Sequence, residues 1–255
     1  MLPIIVSMLR LVCGLTLLFC LSTLGSMCSS YDVQELHYSH LKDESEGYMS
    51  PLARQGGKSL VHPDAENPLP GALTAWLHVE GTSVDYPVAA LEPTMADTFY
   101  LNHTLWGEAS YLGCPYLDRR SASDSAHLLV YGHHFIGSTS MFGTLWNRYQ
   151  PSAFSGTGTA QWSPYASGIK QTAIRFQPFC ALRVPRSYAP IQRFTFTSAD
   201  DLKSWLTSIA EEASACCPNW KDRIEQATRV LTLATCTEGN GKSSMRTLVL
   251  FTTQA

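Results

Sequence analysis

The sequence predicts a mainly β domain, a closed barrel or a sandwich, behind a non-globular N-terminus. Three observations lead there. From Ala72 onward, short β-like runs are separated by Gly and Pro turns. Within that region one stretch, Leu202 to Ile209, stands out for its helical period. The chain has 255 residues, 45% of them hydrophobic, and with the N-terminus set aside about 185 remain, enough for one domain with a substantial core.

The elements follow in chain order. Leu11 to Met27 carry no charge, and with Ile4 to Met8 the apolar stretch is broken only by Arg10. A run of about 17 residues is at the lower limit for a spanning helix. Arg10 is the nearest basic residue on one side and Lys42 on the other, so the positive-inside rule predicts a single-pass anchor with a cytoplasmic N-terminus and an extracellular domain. A cleaved signal peptide ending near Gly25 and Ser26 is the alternative; the lack of an A-x-A site favours the anchor. Either reading exports the rest of the chain. The expected organisation is an anchor or signal over 1–28, a helical segment and linker over 29–70, and a barrel over 71–255. Tyr31 to Tyr48 is the expected helix, and Ser50 to Pro70, rich in Pro, Gly and charge, the linker.

Expected strands include Trp76 to Val79, Val84 to Val88, Leu128 to Tyr131, Ile174 to Phe176, Phe179 to Leu182, Ile191 to Thr197, Val230 to Cys236 and Met245 to Thr252. Ser198 before Asp200 and Asp201 reads as a helix N-cap, with Leu202, Trp205, Leu206 and Ile209 as the buried stripe.

Composition excludes several functions. Charged residues make up 15% and the formal net charge is −3, which argues against nucleic-acid binding. The eight cysteines, Cys13, Cys20, Cys28, Cys114, Cys180, Cys216, Cys217 and Cys236, show no C-x-x-C or Cys/His spacing suited to zinc. A Cys114–Cys180 bridge is open, whereas the adjacent Cys216 and Cys217 pair poorly with each other. At least one thiol is expected to be free.

Cys236 is the candidate. It ends one strand, Arg246 begins the next, and Glu238 to Lys242 forms a strong turn signal between them. A turn centred on Gly241 sets Cys236 directly opposite Arg246, with Cβ atoms roughly 5 Å apart. Arginine stays charged at any working pH, so it can favour a thiolate or hold an oxyanion, but it cannot act as a base. A histidine is needed to move protons. His133 and His134 follow the strand that ends at Tyr131-Gly132.

These residues resemble those of sortases. Thr232-Leu233-Ala234-Thr235-Cys236 matches the family's T-L-x-T-C signature, Arg246 falls ten residues later, and Gly132-His133 matches the strand-end histidine. Val84 to Val88, Phe99 to Asn102, Gly113 to Arg119 and Ser140 to Leu145 are similar to class B segments, as is a helix inserted before the cysteine strand. The similarity spans about Leu73 to Phe251. Ala234 stands where many class B members carry Ser, and Thr74-Ala75-Trp76 replaces the usual G-W.

The resemblance implies an eight-stranded β-barrel with an N-terminal helix and one inserted helix. It implies a cysteine transpeptidase with Cys236 as nucleophile, His133 as proton donor and Arg246 steadying the oxyanion or the peptide. Tyr131, Ala234, Thr235 and Thr237 are the expected substrate contacts, the last through its N–H. The implied substrate is the C-terminal sorting signal of exported surface proteins, and the acceptor an amine of the cell-wall precursor. A pilin Lys acceptor and a non-catalytic peptide-binding barrel are the alternatives. A thiol redox protein is a further option, but one lacking a C-x-x-C pair. No metal or cofactor is required.

Overall fold

The computed structural model describes residues 2–47, 70–166, 168–239 and 243–253. The chain divides into two units, 1–47 and 48–255.

The first unit is one helix, α1 (Leu2–Gly47). Its 46 residues span about 70 Å at the α-helical rise. The expected boundary near residue 28 is therefore not a break in the helix. Among the described residues no helix is long and apolar enough to cross a membrane. That finding overturns the expected single-pass anchor, and with it the membrane orientation read from the flanking charges. The physical reason lies in the apolar run itself. It is barely the minimum length, and Gly14, Thr16 and Ser22 dilute it. Thr16 turns its hydroxyl back onto the carbonyls of Val12 and Cys13. Of the expected linker, all but Pro70 lies outside the described residues.

The second unit is a closed barrel. Its strands are β1 (Leu73–Val79), β2 (Asp85–Ala90), β3 (Tyr116–Leu117), β4 (His127–Tyr131), β5 (Ala160–Ala166), β6 (Ile169–Lys170), β7 (Ile174–Pro185), β8 (Ala215–Cys216), β9 (Val230–Cys236) and β10 (Met245–Thr252). Eight of them run β5-β1-β2-β3-β4-β9-β10-β7, and pairing of β5 with β7 closes the ring. β6 and β8 are two-residue additions at the edges. The barrel is mixed: β2–β3 and β4–β9 are parallel, the other pairings antiparallel. Its helices are α2 (Pro151–Phe154), α3 (Ala199–Glu212) and α4 (Trp220–Gln226). Trp162, Phe176, Phe179 and Phe251 are among the largest fully buried side chains, and each removes about 2–3 kcal/mol worth of apolar surface from water.

Three departures from expectation have local causes. Ile174 to Phe176 and Phe179 to Leu182 belong to one strand, β7, whose pairing with β10 shifts register between Leu250 and Phe251. Ile191 to Thr197 is not a strand. A 3₁₀ turn occupies Ala189–Ile191, and the following residues are engaged by side chains instead. The Arg193 carbonyl meets His127 Nδ1 at 2.8 Å, and its guanidinium reaches Asp201 and lies over Phe196. The insertion before the cysteine strand holds a second helix, α4, whose sequence carries too few apolar residues to show a stripe.

Alternation on β9 sets up the site. Thr232 on its outer face bonds His127, which lies against Phe194, ahead of α3, and against Trp205 of α3. Leu231 and Leu233 point the other way, into the barrel. α3 and residues 192–197 thus cover the outer face of β4 and β9 near their starts. Ser198 caps α3, accepting from Asp201 N at 3.1 Å, and Leu202, Trp205, Leu206 and Ile209 are buried as the stripe requires.

Candidate active site

Beyond α3 the same outer face is open. A groove of about 560 Å³ runs over the ends of β4, β9 and β10, lined among others by Tyr131, His133, Ala234, Thr235, Cys236 and Arg246. Parallel pairing of β4 with β9 sets Tyr131 beside Ala234, so both chains leave the sheet at the same end. One exit carries His133 and the other Cys236.

The β9–β10 ladder pairs Cys236 with Arg246. This is the register expected from a turn centred on Gly241; the turn residues 240–242 themselves lie outside the described residues. Gly239 is described, in the left-handed region at φ 72°. Cys236 is 7% exposed. Arg246 uses Nη1 to donate to the carbonyls of Ser243 at 2.8 Å and Met245 at 3.0 Å, so Nε and Nη2 remain available as donors.

Gly132 is required by space. A Cβ there would stand 2.6 Å from ring carbons of the fully buried Phe142. Phe142 N–H in turn donates to the His133 carbonyl at 2.9 Å. The preceding Met141 is fully buried at φ 54°, its N–H donating to the Tyr86 hydroxyl. The Ser140 to Leu145 segment is therefore the brace of the histidine loop.

His133 Nε2 lies 2.7 Å from the Leu101 carbonyl. A carbonyl only accepts, so Nε2 carries the proton and Nδ1 is the atom that titrates. Burial lowers the His133 pKa, the Leu101 bond opposes this, and the Arg246 charge lowers it further. His134 is placed differently. It is buried, stacks on Trp146 and sets Nδ1 2.9 Å from the Cys236 carbonyl. It holds the cysteine's backbone and does not line the groove.

Thr235 ties the two strand ends together, its Oγ1 donating to the Gly132 carbonyl at 2.8 Å. Thr237 does not reach the groove. Its side chain is buried against Thr247, and its N–H donates to the Met245 carbonyl at 3.3 Å, within the hairpin. The N–H expected to contact substrate is thus already engaged within the hairpin.

Sequence reasoning missed a buried carboxylate beside the groove. Asp118, 6% exposed, accepts from Arg120 Nε at 2.8 Å, Arg120 Nη2 at 2.7 Å and the Tyr131 hydroxyl at 2.9 Å. Burial works to raise its pKa, but the bonds from Arg120 and Tyr131 outweigh that and hold it below the ordinary carboxylate value. Burial and Asp118 together push the Tyr131 phenol upward. The Arg120 guanidinium also lies 4.4 Å from the Phe194 ring centroid. The signal available was the D-x-R spacing just after a short strand. Among the described residues no group of three or more His, Cys, Asp and Glu side chains is set to hold a metal.

Solved structures of similar shape share this architecture. The Staphylococcus aureus sortase B–substrate complex superposes with a TM-score of 0.64 at 21% identity, over 87% of this chain and 96% of that one. The fold is that of class B sortases. Clostridium perfringens sortase B gives 0.58 at 21% identity, over 71% and 93% of the two chains. Sortase B from B. anthracis in complex with AAEK1 gives 0.57 at 19%, over 72% and 79%. A scan of protein-family models finds no match, and a search among curated proteins finds none either.

Proposed function

We propose that this chain is a cysteine transpeptidase of the sortase type, acting on a sorting-signal peptide laid in the groove. The observation that carries this reading is the convergence of Cys236, His133 and Arg246, from three strand ends, on one open groove. A buried small hydrophobic cysteine needs neither neighbour.

In the proposed reaction Cys236 Sγ attacks the scissile carbonyl carbon as a thiolate. Charge moves onto the carbonyl oxygen, where Arg246 N–H groups receive it. The His133 imidazolium gives its Nδ1 proton to the leaving amine as the C–N bond breaks, leaving a thioester on Cys236. An incoming amine attacks the thioester, loses a proton to neutral His133 and expels the Cys236 thiolate, which restores the starting imidazolium and thiolate. Burial and the Arg246 charge both favour neutral His133, so the imidazolium is the minority form of that ring. The acceptor is an amine of the cell-wall precursor class. Tyr131, Ala234 and Thr235 line the peptide path, with Tyr131 held in place by Asp118.

The test uses the full chain and a panel of quenched fluorogenic sorting peptides, with and without an added amine. Loss of turnover in Cys236→Ala, His133→Ala and Arg246→Ala, together with amine-dependent product from the unaltered protein, is the expected result. His134→Ala retains turnover, because that ring lies outside the groove. No turnover of any peptide, with Cys236 inert towards a thiol-directed probe in folded protein, overturns the proposal and favours a peptide-binding barrel.

A further inference from the structure

Four of the described cysteines lie outside the groove and in the barrel unit, and two of them face one another. Cys180 of β7 is paired directly with Cys216 of β8. Cys217 N–H donates to the Phe179 carbonyl at 2.9 Å, so the bonds flank this pair and Cys180–Cys216 is a non-hydrogen-bonded position of the ladder. Such positions bring Cα atoms to about 4.5 Å, with side chains on the same face. Bridged cysteines have Cα separations of about 4.4–6.8 Å. Cys114, by contrast, sets its sulfur against the carbonyls of Pro87 and Pro115, and all four thiols are unbridged. The Cys114–Cys180 bridge left open by the sequence is not formed.

We propose that Cys180 and Cys216 are a thiol redox site, closing to a cross-strand disulfide when a low-molecular-weight disulfide such as oxidised glutathione is present. The two thiols are unequal in the way this exchange needs. Cys180 is fully buried, whereas Cys216 is half-buried at the sheet edge. Burial raises the Cys180 pKa, and the hydrogen bond from Cys180 draws that of Cys216 down. Cys216 thiolate attacks one sulfur of the oxidant and displaces one thiolate. Cys180 then gives up its proton, attacks Cys216 Sγ in the mixed disulfide and displaces the second. One disulfide is reduced to two thiols and one dithiol oxidised to a disulfide, so electrons and protons balance.

The bond would bolt the insertion to the barrel wall. β8 stands between α3 and α4, and its one named pairing is with β7. Its neighbour β7 pairs with β10, the strand that carries Arg246. Cys217 is the competing partner. It is buried and stands one residue past the end of β8, where its thiol meets Arg223 and the Asn219 backbone.

The test incubates the native full chain with oxidised glutathione, blocks free thiols and maps disulfide-linked peptides by mass spectrometry. Cys236→Ala protein is run in parallel to remove the groove thiol. The expected product is one internal Cys180–Cys216 link, a loss of two blockable thiols, and a higher melting temperature reversed by dithiothreitol. Cys216→Ser abolishes the link without changing peptide cleavage, and Cys217→Ser leaves it intact. Only glutathione adducts, a Cys180–Cys217 link, or a link formed solely after unfolding in denaturant would overturn the proposal. The mapped link, the thiol count and the melting temperature can all be read whether or not the chain cleaves peptides.

Discussion

Replacing Gly132 by Ala tests whether the histidine loop is held by packing. The added Cβ would lie 2.6 Å from two ring carbons of Phe142 and 2.9 Å from a third, more than half an ångström inside an ordinary carbon–carbon contact. Phe142 is fully buried and its backbone is bonded to His133, so the ring cannot swing clear. Over-packing of this kind costs about 1–3 kcal/mol. Taking ~2 kcal/mol, a domain of this size loses roughly 4–8 °C in Tm. The strand end must also shift, and a displacement of about 1 Å at a reacting group can cost on the order of 100-fold in rate. The assay is thermal unfolding by circular dichroism beside kcat/KM on a cleaved peptide. Gly71→Ala is the control, since nothing lies within 4 Å of its Cβ and its φ is not positive. Adding Phe142→Leu to Gly132→Ala should recover part of the loss through relief of the same overlap. A Gly132→Ala protein with unchanged Tm and unchanged kcat/KM would refute the argument.

Thr235→Val removes the bond to the Gly132 carbonyl at nearly constant volume; we expect about 1 kcal/mol lost in urea unfolding and a fall in peptide turnover larger than in KM. Ser198→Ala deletes the cap of α3, costing about 1 kcal/mol of stability with turnover unchanged. His127, fully buried, has its pKa pushed down to about 4 from 6.5 by desolvation. Between those values the unfolded chain binds a proton and the folded chain does not, so this contribution is complete above pH 6.5 and is lost as pH falls towards 4, at about 1.4 kcal/mol per pH unit. Denaturant unfolding across that range should show the slope, and His127→Gln should flatten it. Asp118 acts lower: held below its ordinary value, it stabilises above about pH 4 and ceases to as pH falls through its folded value, so Asp118→Asn should blunt the acid limb of stability.

Much of the barrel was legible because its signals are local. β9 and β10 begin and end where their apolar runs do, and the strong turn between them is enough to pair Cys236 with Arg246. The Ser198 cap and its stripe place α3 within a residue. Other features depend on which strands become neighbours, and a linear pattern holds no record of that. Asp118 and Tyr131 meet because β3 pairs with β4. β5 escaped notice because Gln161, Ser163 and Pro164 interrupt its apolar residues. His133 and His134 are adjacent in sequence but part company in space, one to the groove and one under Trp146. The N-terminal run misled for a different reason: at minimum length, a few Gly, Ser and Thr residues decide whether it is apolar enough to span.

The parallel β4–β9 pair has a consequence for how the protein matures. His133 and Cys236 stand 103 positions apart in the chain, yet they share a groove only because their strands are adjacent. Contacts of such separation form late and slowly, since the loop between them must close first. On the proposed mechanism, Cys236 therefore gains His133 as its proton donor only once β4 and β9 lie side by side. Until then the proposed nucleophile would be a cysteine without its partner.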